Sequence, residues 1–220
     1  RPLIMCEYSH AMGNSNGTLA EYWEVIESTR GLQGGFIWEM WDHGPVQTMS
    51  DGSKRNAYGG DYGETKHDGN FCCDGMVFPD RTAKPAMHEF KAIAAPIVIT
   101  GVKPASGQFK IFNKNFFKDL SEYQLQWSIT CDGVIQDGGV VKLPKVAPRK
   151  SSNFKVTSKK FAKGANRGER FITFSLVCIA TTPWALPMTE IAWSQIALPS
   201  TALAPAKKAR EIGDVVDEHG

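Results

Sequence analysis

The chain has 220 residues, with 25 basic and 23 acidic side chains and a formal net charge of +2. This balance argues against a nucleic-acid partner, because proteins that bind nucleic acids usually carry a concentrated basic stripe. No stretch of the sequence reaches the roughly 18–20 apolar residues that a membrane-spanning helix needs, so we expect no membrane partner.

The first hundred residues predict strands that alternate with helices. The apolar run Leu3–Cys6 predicts a buried strand, and Gly35–Trp38 predicts a second one. A strand, a helix and a strand within about 35 residues are typical of a βαβ unit in a parallel sheet. The apolar face of the intervening helix is formed by Leu19, Tyr22, Trp23 and Ile26, and its candidate N-caps are Asn14, Ser15 and Asn16.

A polar, glycine-rich loop is predicted between His43 and about Asn70. Unstructured loops of this length inside compact domains are usually functional. Asp61 and Asp68 lie within it, and turn formation is the ordinary role of aspartate in such a loop. After the loop, Pro85 is suited to the first position of a helix. The face of that helix is formed by Met87, Phe90 and Ile93.

After Pro96 the hydrophobic period changes from 3.6 to 2. Apolar and polar side chains alternate along Tyr123–Cys131 and again along Ile172–Cys178, and Asp132-Gly133 is typical of a hairpin turn. Several short strands separated by turns predict an antiparallel β-sandwich.

We therefore predict an α/β region at 1–95, an all-β sandwich at 96–200 and a linker at 201–220. The first strand begins within two residues of Arg1, so we expect the chain to be a piece of a longer polypeptide.

The cysteines are odd in number and have neither the spacing of a disulfide framework nor a CxxC pair; they are Cys6, Cys72, Cys73, Cys131 and Cys178. Free cysteines are typical of a reducing compartment, which favours a cytoplasmic protein. Cys72 and Cys73 are adjacent, which is poor geometry for chelating one metal ion, so we expect no zinc site.

Glu7 follows the first apolar run and is the first candidate for chemistry. In a β/α barrel the catalytic groups lie at the C-terminal ends of the strands, so a glutamate there is a candidate nucleophile or general acid/base. An ordinary exposed glutamate at a strand end is the alternative.

The segment Cys6–Ser15, Cys-Glu-Tyr-Ser-His-Ala-Met-Gly-Asn-Ser, resembles the nucleophile segment of the large bacterial β-galactosidases of glycoside hydrolase family 2. Further matches follow in the same order at Leu32–Trp38, Ala57–Gly63, Asp80–Thr82, Pro85–Ala86 and Glu190–Gln195. The resemblance implies that residues 1–95 form the last two β/α units of a TIM (β/α)8 barrel. It also implies that an immunoglobulin-like antiparallel β-sandwich follows at 96–200.

The resemblance implies that Glu7 is the nucleophile of a retaining β-galactosidase. Such an enzyme cleaves terminal β-D-galactosyl bonds of lactose-like substrates through a covalent glycosyl-enzyme. The family's acid/base glutamate lies on an earlier barrel strand that this chain does not contain, so we expect the chain alone to be inactive. Glu39 and Asp42 are the nearby substitutes, but the family pattern gives neither of them that role.

The same resemblance implies sugar-binding roles for three side chains. His10 would bind the galactosyl group, Trp38 would form the apolar wall beneath the sugar, and Asp68 lies in the segment that resembles the substrate site. Without the resemblance, His10 is equally suited to holding the loop backbone, and Trp38 to packing within the barrel. A sodium site is implied by the Phe71 carbonyl and the side chain at Asp74, where the family usually has asparagine. The Mg2+ ligands of the family lie outside this chain.

Two alternatives remain open from the sequence. A β-glucuronidase or another family 2 hydrolase keeps the chemistry and changes the sugar, although the segment His10–Ser15 favours galactosidase. A non-catalytic sandwich that serves interaction or carbohydrate binding is the alternative of another class. The implied partners are a β-galactoside, the remaining domains of a parent chain and, in the full-length form, further copies in a homo-oligomer.

Overall fold

The computed structural model describes residues 1–161 and 168–200, and the predicted linker at 201–220 lies outside the described residues. The chain divides into two compact units, one spanning Arg1–Ala95 and one that starts at Pro96. Across the described residues, no helix has both the length and the apolar character needed to cross a membrane.

The first unit is built on a βαβ motif. Strand β1 (Leu3–Tyr8) pairs in parallel with β2 (Leu32–Ile37), and helix α1 (Leu19–Ser28) connects them. A second helix, α2 (Pro85–Ile93), begins with proline at its first position, as the sequence predicts. The predicted strand–helix–strand order is therefore confirmed.

The core of this unit lies between the strands and the helices. Its buried members are Tyr8, Ala11, Leu19 and Met76. The predicted face of α2 packs on them through Met87, Phe90 and Ile93, and the Trp23 and Phe90 rings lie 6.3 Å apart. Of the predicted face of α1, Leu19 and Ile26 are buried, whereas Tyr22 is 40% exposed.

The predicted burial of the two strands is wrong. Leu3 is 61% exposed, Ile4 is 56% exposed and Phe36 is 67% exposed. Parallel strands are normally covered on both faces. Among the described residues, β1 and β2 form a two-stranded parallel sheet, which leaves one apolar face open. Strand β2 also begins three residues earlier than predicted and ends at Ile37, so that Trp38 follows it.

The predicted helix caps are also wrong. The N-cap of α1 is Thr18, in a left-handed conformation and without a side-chain cap. Asn16 instead donates to the Ser9 carbonyl, and Ser15 Oγ donates to the His10 carbonyl at 2.6 Å. Side chains of this kind bind nearby backbone groups in competition with capping. They tie together the loop that follows β1, and Asn14 is exposed in that loop.

The predicted loop contains a short hairpin. Strands β3 (Val46–Thr48) and β4 (Lys54–Asn56) pair antiparallel within it, so the expectation of an unstructured segment is wrong. The turn role predicted for Asp61 is confirmed, because its carboxylate accepts hydrogen bonds from Arg55 Nη2 and from the Tyr58 N–H, both at 2.8 Å.

The second unit is an antiparallel sandwich, as predicted. Its described strands are β5 (Ile97–Lys103), β6 (Gln108–Asn113), β7 (Tyr123–Cys131), β8 (Val134–Val141), β9 (Ser151–Lys155), β10 (Arg170–Cys178) and β11 (Glu190–Ala197). One sheet has the order β5-β6-β9 and the other has the order β11-β10-β7-β8. Short 3-10 turns lie at Pro104–Ser106 and Lys159–Phe161.

The two sheets share one aromatic core. The Phe174 ring of β10 lies 4.9 Å from that of Phe109 on β6 and 5.6 Å from that of Phe154 on β9. Strands β7 and β10 alternate between buried and partly exposed residues, which confirms the period-two prediction. Asp132 and Gly133 connect β7 to β8 with φ of 48° and 77°, the positive values that a tight hairpin turn requires.

We expect residues 1–95 in isolation to show no cooperative thermal unfolding, because an open two-stranded parallel sheet buries too little apolar surface to be stable. Residues 96–200 are the matched control and should unfold cooperatively, since their two sheets enclose a core. Circular dichroism melts of both pieces make the comparison. A sharp transition in the isolated 1–95 piece would contradict this view of the first unit.

Candidate active site

The carboxyl ends of β1 and β2 lie side by side. Tyr8 is paired with Ile37, the last residues of the two strands. Glu7 comes one residue before Tyr8 and Trp38 one residue after Ile37, so both lie at the same edge of the sheet. The Trp38 carbonyl accepts a hydrogen bond from the Ala11 N–H at 2.7 Å, which extends the pairing into the loop after β1.

Glu7 and Tyr8 differ in exposure at the carboxyl end of β1. Tyr8 is buried among residues of α1 and α2, and its hydroxyl accepts a hydrogen bond from Trp23 Nε1 at 3.0 Å. Glu7 is exposed. A carboxylate in this position is accessible to a ligand at the carboxyl end of the strands.

Asp74 brings together two of the predicted sugar-binding residues. Its side chain is buried, and Trp38 Nε1 donates to its Oδ2 at 2.9 Å. His10 Nε2 lies 3.8 Å from the same oxygen. The His10 ring also lies 6.2 Å from the ring of Phe71. His10, Trp38, Phe71 and Asp74 therefore form one cluster, which we call the Asp74 cluster.

The second oxygen of Asp74 has different surroundings. Oδ1 is buried and no nitrogen or hydroxyl of the described residues donates to it, whereas the carboxyl group of Glu39 is close enough to share a hydrogen bond with Asp74. A buried polar atom of this kind is costly unless another group satisfies it, above all in a carboxylate. A hard cation prefers carboxylate and carbonyl oxygens, so the spare oxygen fits an ion such as Na+. Around it, the described residues hold no group of three or more His, Cys, Asp or Glu side chains placed for a metal.

Two predicted residues stand apart from the Asp74 cluster. Asp68 is exposed, and its backbone carbonyl accepts a hydrogen bond from the Phe71 N–H at 3.3 Å. Its side chain is not among the groups that surround Asp74. Glu7 lies at the same sheet edge as Trp38, but no hydrogen bond between described residues joins its carboxylate to the cluster.

Glu39 adds a second carboxyl group beside Asp74. It follows Trp38 through a cis peptide bond. Burial and the nearby carboxyl group of Asp74 raise the pKa of Glu39, and Asp42 acts in the same direction. His43 opposes the shift, with its Nε2 3.4 Å from Glu39 Oε1. Glu39 therefore retains its proton to higher pH than an ordinary glutamate.

Sequence reasoning missed the ion pair between Asp42 and Lys84. Asp42 Oδ1 accepts hydrogen bonds from Lys84 Nζ at 2.8 Å and from the Gly75 N–H at 2.6 Å, and the carboxylate is buried. A Cβ on Gly75 would lie 2.2 Å from the Asp42 nitrogen, so only glycine fits there. The pair holds Asp42 in a structural role, which argues against its use as a substitute acid.

A glutamate at the carboxyl end of a parallel strand, beside an exposed tryptophan and a histidine, is an arrangement expected of a TIM-barrel enzyme. Residues 1–99 match the model of the TIM barrel domain of glycosyl hydrolases family 2, and residues 109–199 match that of domain 4 of β-galactosidase. The chain belongs to glycosyl hydrolase family 2, as a β-galactosidase-type barrel segment followed by a β-sandwich domain.

Curated relatives match along almost the whole chain. A β-galactosidase of Priestia megaterium is 38% identical over 219 residues, which cover 100% of this chain and 21% of the relative. A β-galactosidase of Aeromonas hydrophila is 37% identical over 94% of this chain and 20% of its own length. One from an Arthrobacter species is 33% identical over 96% of this chain and 21% of its own. The chain thus spans about a fifth of the length of the curated relatives that it matches.

Proposed function

We propose that this chain supplies the nucleophile of a retaining β-galactosidase that hydrolyses terminal β-D-galactosyl bonds of lactose-like substrates. Glu7 is the nucleophile in this proposal. Its main support is the position of Glu7 at the carboxyl end of a strand, in a segment that resembles the family's nucleophile motif. The similarity to proteins named β-galactosidase adds support for a galactoside over a glucuronide.

The reaction needs a second carboxyl group. In a retaining glycosidase, an ionised carboxylate attacks the anomeric carbon while a carboxylic acid about 5–5.5 Å away protonates the leaving oxygen. The acid then acts as a base towards the water that releases the sugar. We place that acid on an earlier barrel strand, outside this chain. The carboxylate of Asp42 is paired with Lys84, which leaves Glu39 as the candidate substitute. Because the acid lies outside this chain in our proposal, we expect the chain alone to show no turnover.

The Asp74 cluster would bind the galactosyl group beside Glu7. A neutral imidazole at His10 is able to donate to one hydroxyl and accept from another. Trp38 is 45% exposed, and an indole offers a large stiff surface for the C–H face of a sugar. The hydrogen bond from Trp38 Nε1 to Asp74 fixes the indole in place. Asp68 would contact a substrate hydroxyl from the exposed side of the loop.

We also propose that Na+ binds between the Phe71 carbonyl and the Asp74 carboxylate. The support is the buried Oδ1 of Asp74, to which no nitrogen or hydroxyl of the described residues donates. The ion would neutralise this carboxylate and offer a coordination position to a sugar hydroxyl. An aspartate in place of the usual asparagine keeps an oxygen ligand and adds a negative charge.

Asp74→Ala is expected to abolish the stimulation of galactoside binding by Na+, since it removes the ligand oxygen. Asp74→Asn is the matched variant: it retains one oxygen and should retain a response to Na+. The measurement is KM for a nitrophenyl galactoside across a Na+ series at constant ionic strength, made in a complete barrel in which this chain replaces the matching segment of the Priestia megaterium β-galactosidase. An unchanged Na+ response in Asp74→Ala would contradict the ion site.

The function is tested in a complete barrel. A chimera in which this chain replaces the matching 219-residue segment of the Priestia megaterium β-galactosidase supplies the missing strands. Its rates on nitrophenyl galactoside and nitrophenyl glucuronide should differ strongly in favour of the galactoside. A folded chimera that prefers the glucuronide would overturn the galactosidase proposal in favour of another family 2 activity.

Three further expectations accompany the proposal. A cytoplasmic location remains a prediction from the free cysteines. A Mg2+ site and a homo-oligomeric assembly are expected of the full-length protein. None of the three bears on the assignment of Glu7.

A further inference from the structure

A cavity of about 490 Å³ lies in the first unit, apart from the candidate active site. Its walls come from the loop after β1, from the end of β4 with the loop that follows, and from the segment that leads into α2. Glu7, His10, Trp38 and Asp74 do not line it. Cavities of this size are typical of small-molecule sites, so a ligand has room here without entering the Asp74 cluster.

The cavity collects polar side chains that the fold leaves unused. Asn14, Asn56 and Asn70 all line it, and their carboxamides make no hydrogen bond with any described residue. The hydroxyl of Tyr58, on the same wall as Asn56, is also without a partner in the part of the chain that the structure describes. Each carboxamide both donates and accepts hydrogen bonds, as a hydroxyl group does. The cavity is therefore suited to a ligand with several hydroxyl groups.

The charges of the cavity favour a neutral ligand. Its charged lining residues are Asp42 and Lys84, and they neutralise each other through an ion pair of 2.8 Å. An anion would have to take Lys84 from a buried carboxylate, and a cation would have to take Asp42 from its lysine. Leaving one member of a buried pair alone is costly. The lining thus disfavours both phosphate and uronate ligands.

Tyr58 adds an apolar surface to these amides. Its ring is exposed and lines the cavity. Aromatic rings of this kind combine a large apolar face with a polar tip. A pyranose ring has the matching features, since it presents an apolar C–H face and a rim of hydroxyl groups.

We propose that this cavity is a second sugar-binding site, which takes one neutral hexose unit. Asn14, Asn56 and Asn70 bind its hydroxyl groups, and the ring of Tyr58 packs against its C–H face. The site binds sugar without cleaving it, because the lining carboxylate is held by Lys84.

The test uses the chimera after a 2-fluoro galactoside has filled its active site, so that further sugar binds elsewhere. The probe is methyl β-D-glucoside, titrated by saturation-transfer NMR. We expect saturable binding. Methyl β-D-glucuronide should bind at least about fivefold more weakly, because its carboxylate loses water and meets no unpaired cation among the lining residues.

Matched variants locate the site. Asn56→Ala and Asn70→Ala should each weaken glucoside binding about fivefold, the change expected for one neutral hydrogen bond. Asn153→Ala, at an exposed position of β9, should leave it unchanged. Binding that survives both Asn56→Ala and Asn70→Ala would overturn the proposal, and so would a preference for the glucuronide.

The same titration on the intact 220-residue chain separates this proposal from the proposed catalytic function. Every lining residue belongs to this chain, so the chain should bind the glucoside whether or not the chimera hydrolyses galactosides. No saturable binding in either protein would overturn the second sugar site.

Discussion

Glu7→Gln is expected to reduce galactoside hydrolysis in the chimera by at least about 1,000-fold, since loss of a nucleophile removes the covalent route. The amide is neutral and nearly the same size as the carboxylate, so the exposed strand end should keep its structure. The measurement is kcat on nitrophenyl galactoside.

Glu24→Gln is the control for this substitution. Glu24 is an exposed glutamate of α1, and its change should leave kcat within about twofold because exposed positions away from the site contribute little. The assignment fails if Glu7→Gln retains a tenth or more of the parent rate. It also fails if Glu39→Gln alone removes activity while Glu7→Gln does not.

Phe174→Ala is expected to lower the free energy of unfolding of the second unit by about 3–5 kcal/mol. Phe174 is 1% exposed, and its ring packs against the rings of both Phe109 and Phe154 on the opposite sheet. The substitution removes an aromatic ring from the centre of the sandwich and leaves a cavity. Urea unfolding of the intact chain, followed through the sandwich transition, measures the change.

Phe117→Ala is the matched control, because Phe117 is 96% exposed. The same chemical change at an exposed position should alter the free energy of unfolding by less than about 0.5 kcal/mol. A loss below about 1.5 kcal/mol for Phe174→Ala would mean that the two sheets do not depend on this ring for their packing.

The sequence correctly predicted the elements whose buried face follows from the spacing of their own apolar residues. The alternation along Tyr123–Cys131 predicts a strand, because one face of an antiparallel sheet is buried and the other is not. The spacing of Leu19 and Ile26 predicts the packed face of α1, because residues seven positions apart lie on the same face of a helix. Both features are confirmed.

Features that depend on distant neighbours escaped prediction. The apolar run Leu3–Cys6 is typical of a buried strand, but its burial requires strands beyond the two that form the parallel sheet of the first unit. Ser15 and Asn16, which the sequence predicts as helix caps, instead donate hydrogen bonds to backbone carbonyls of the preceding loop. The pair of Asp42 and Lys84 joins positions 42 residues apart, and no local signal indicates it.

The candidate site was predicted in part. The family resemblance points to Glu7, His10 and Trp38, and the strand-end rule explains why Glu7 and Trp38 lie at the same sheet edge. The position of Asp74 between His10 and Trp38 depends on the path of the loop after β2. It is visible only in three dimensions.

The most direct test of the account is to trap the covalent intermediate. The chimera is incubated with a 2-fluoro galactoside that carries a good leaving group, then digested, and the labelled peptide is sequenced by mass spectrometry. The account predicts one label per chain, on Glu7 in the segment Cys6–Ser15. A label on Glu39, or on any other carboxylate, would contradict the assignment of Glu7 as the nucleophile.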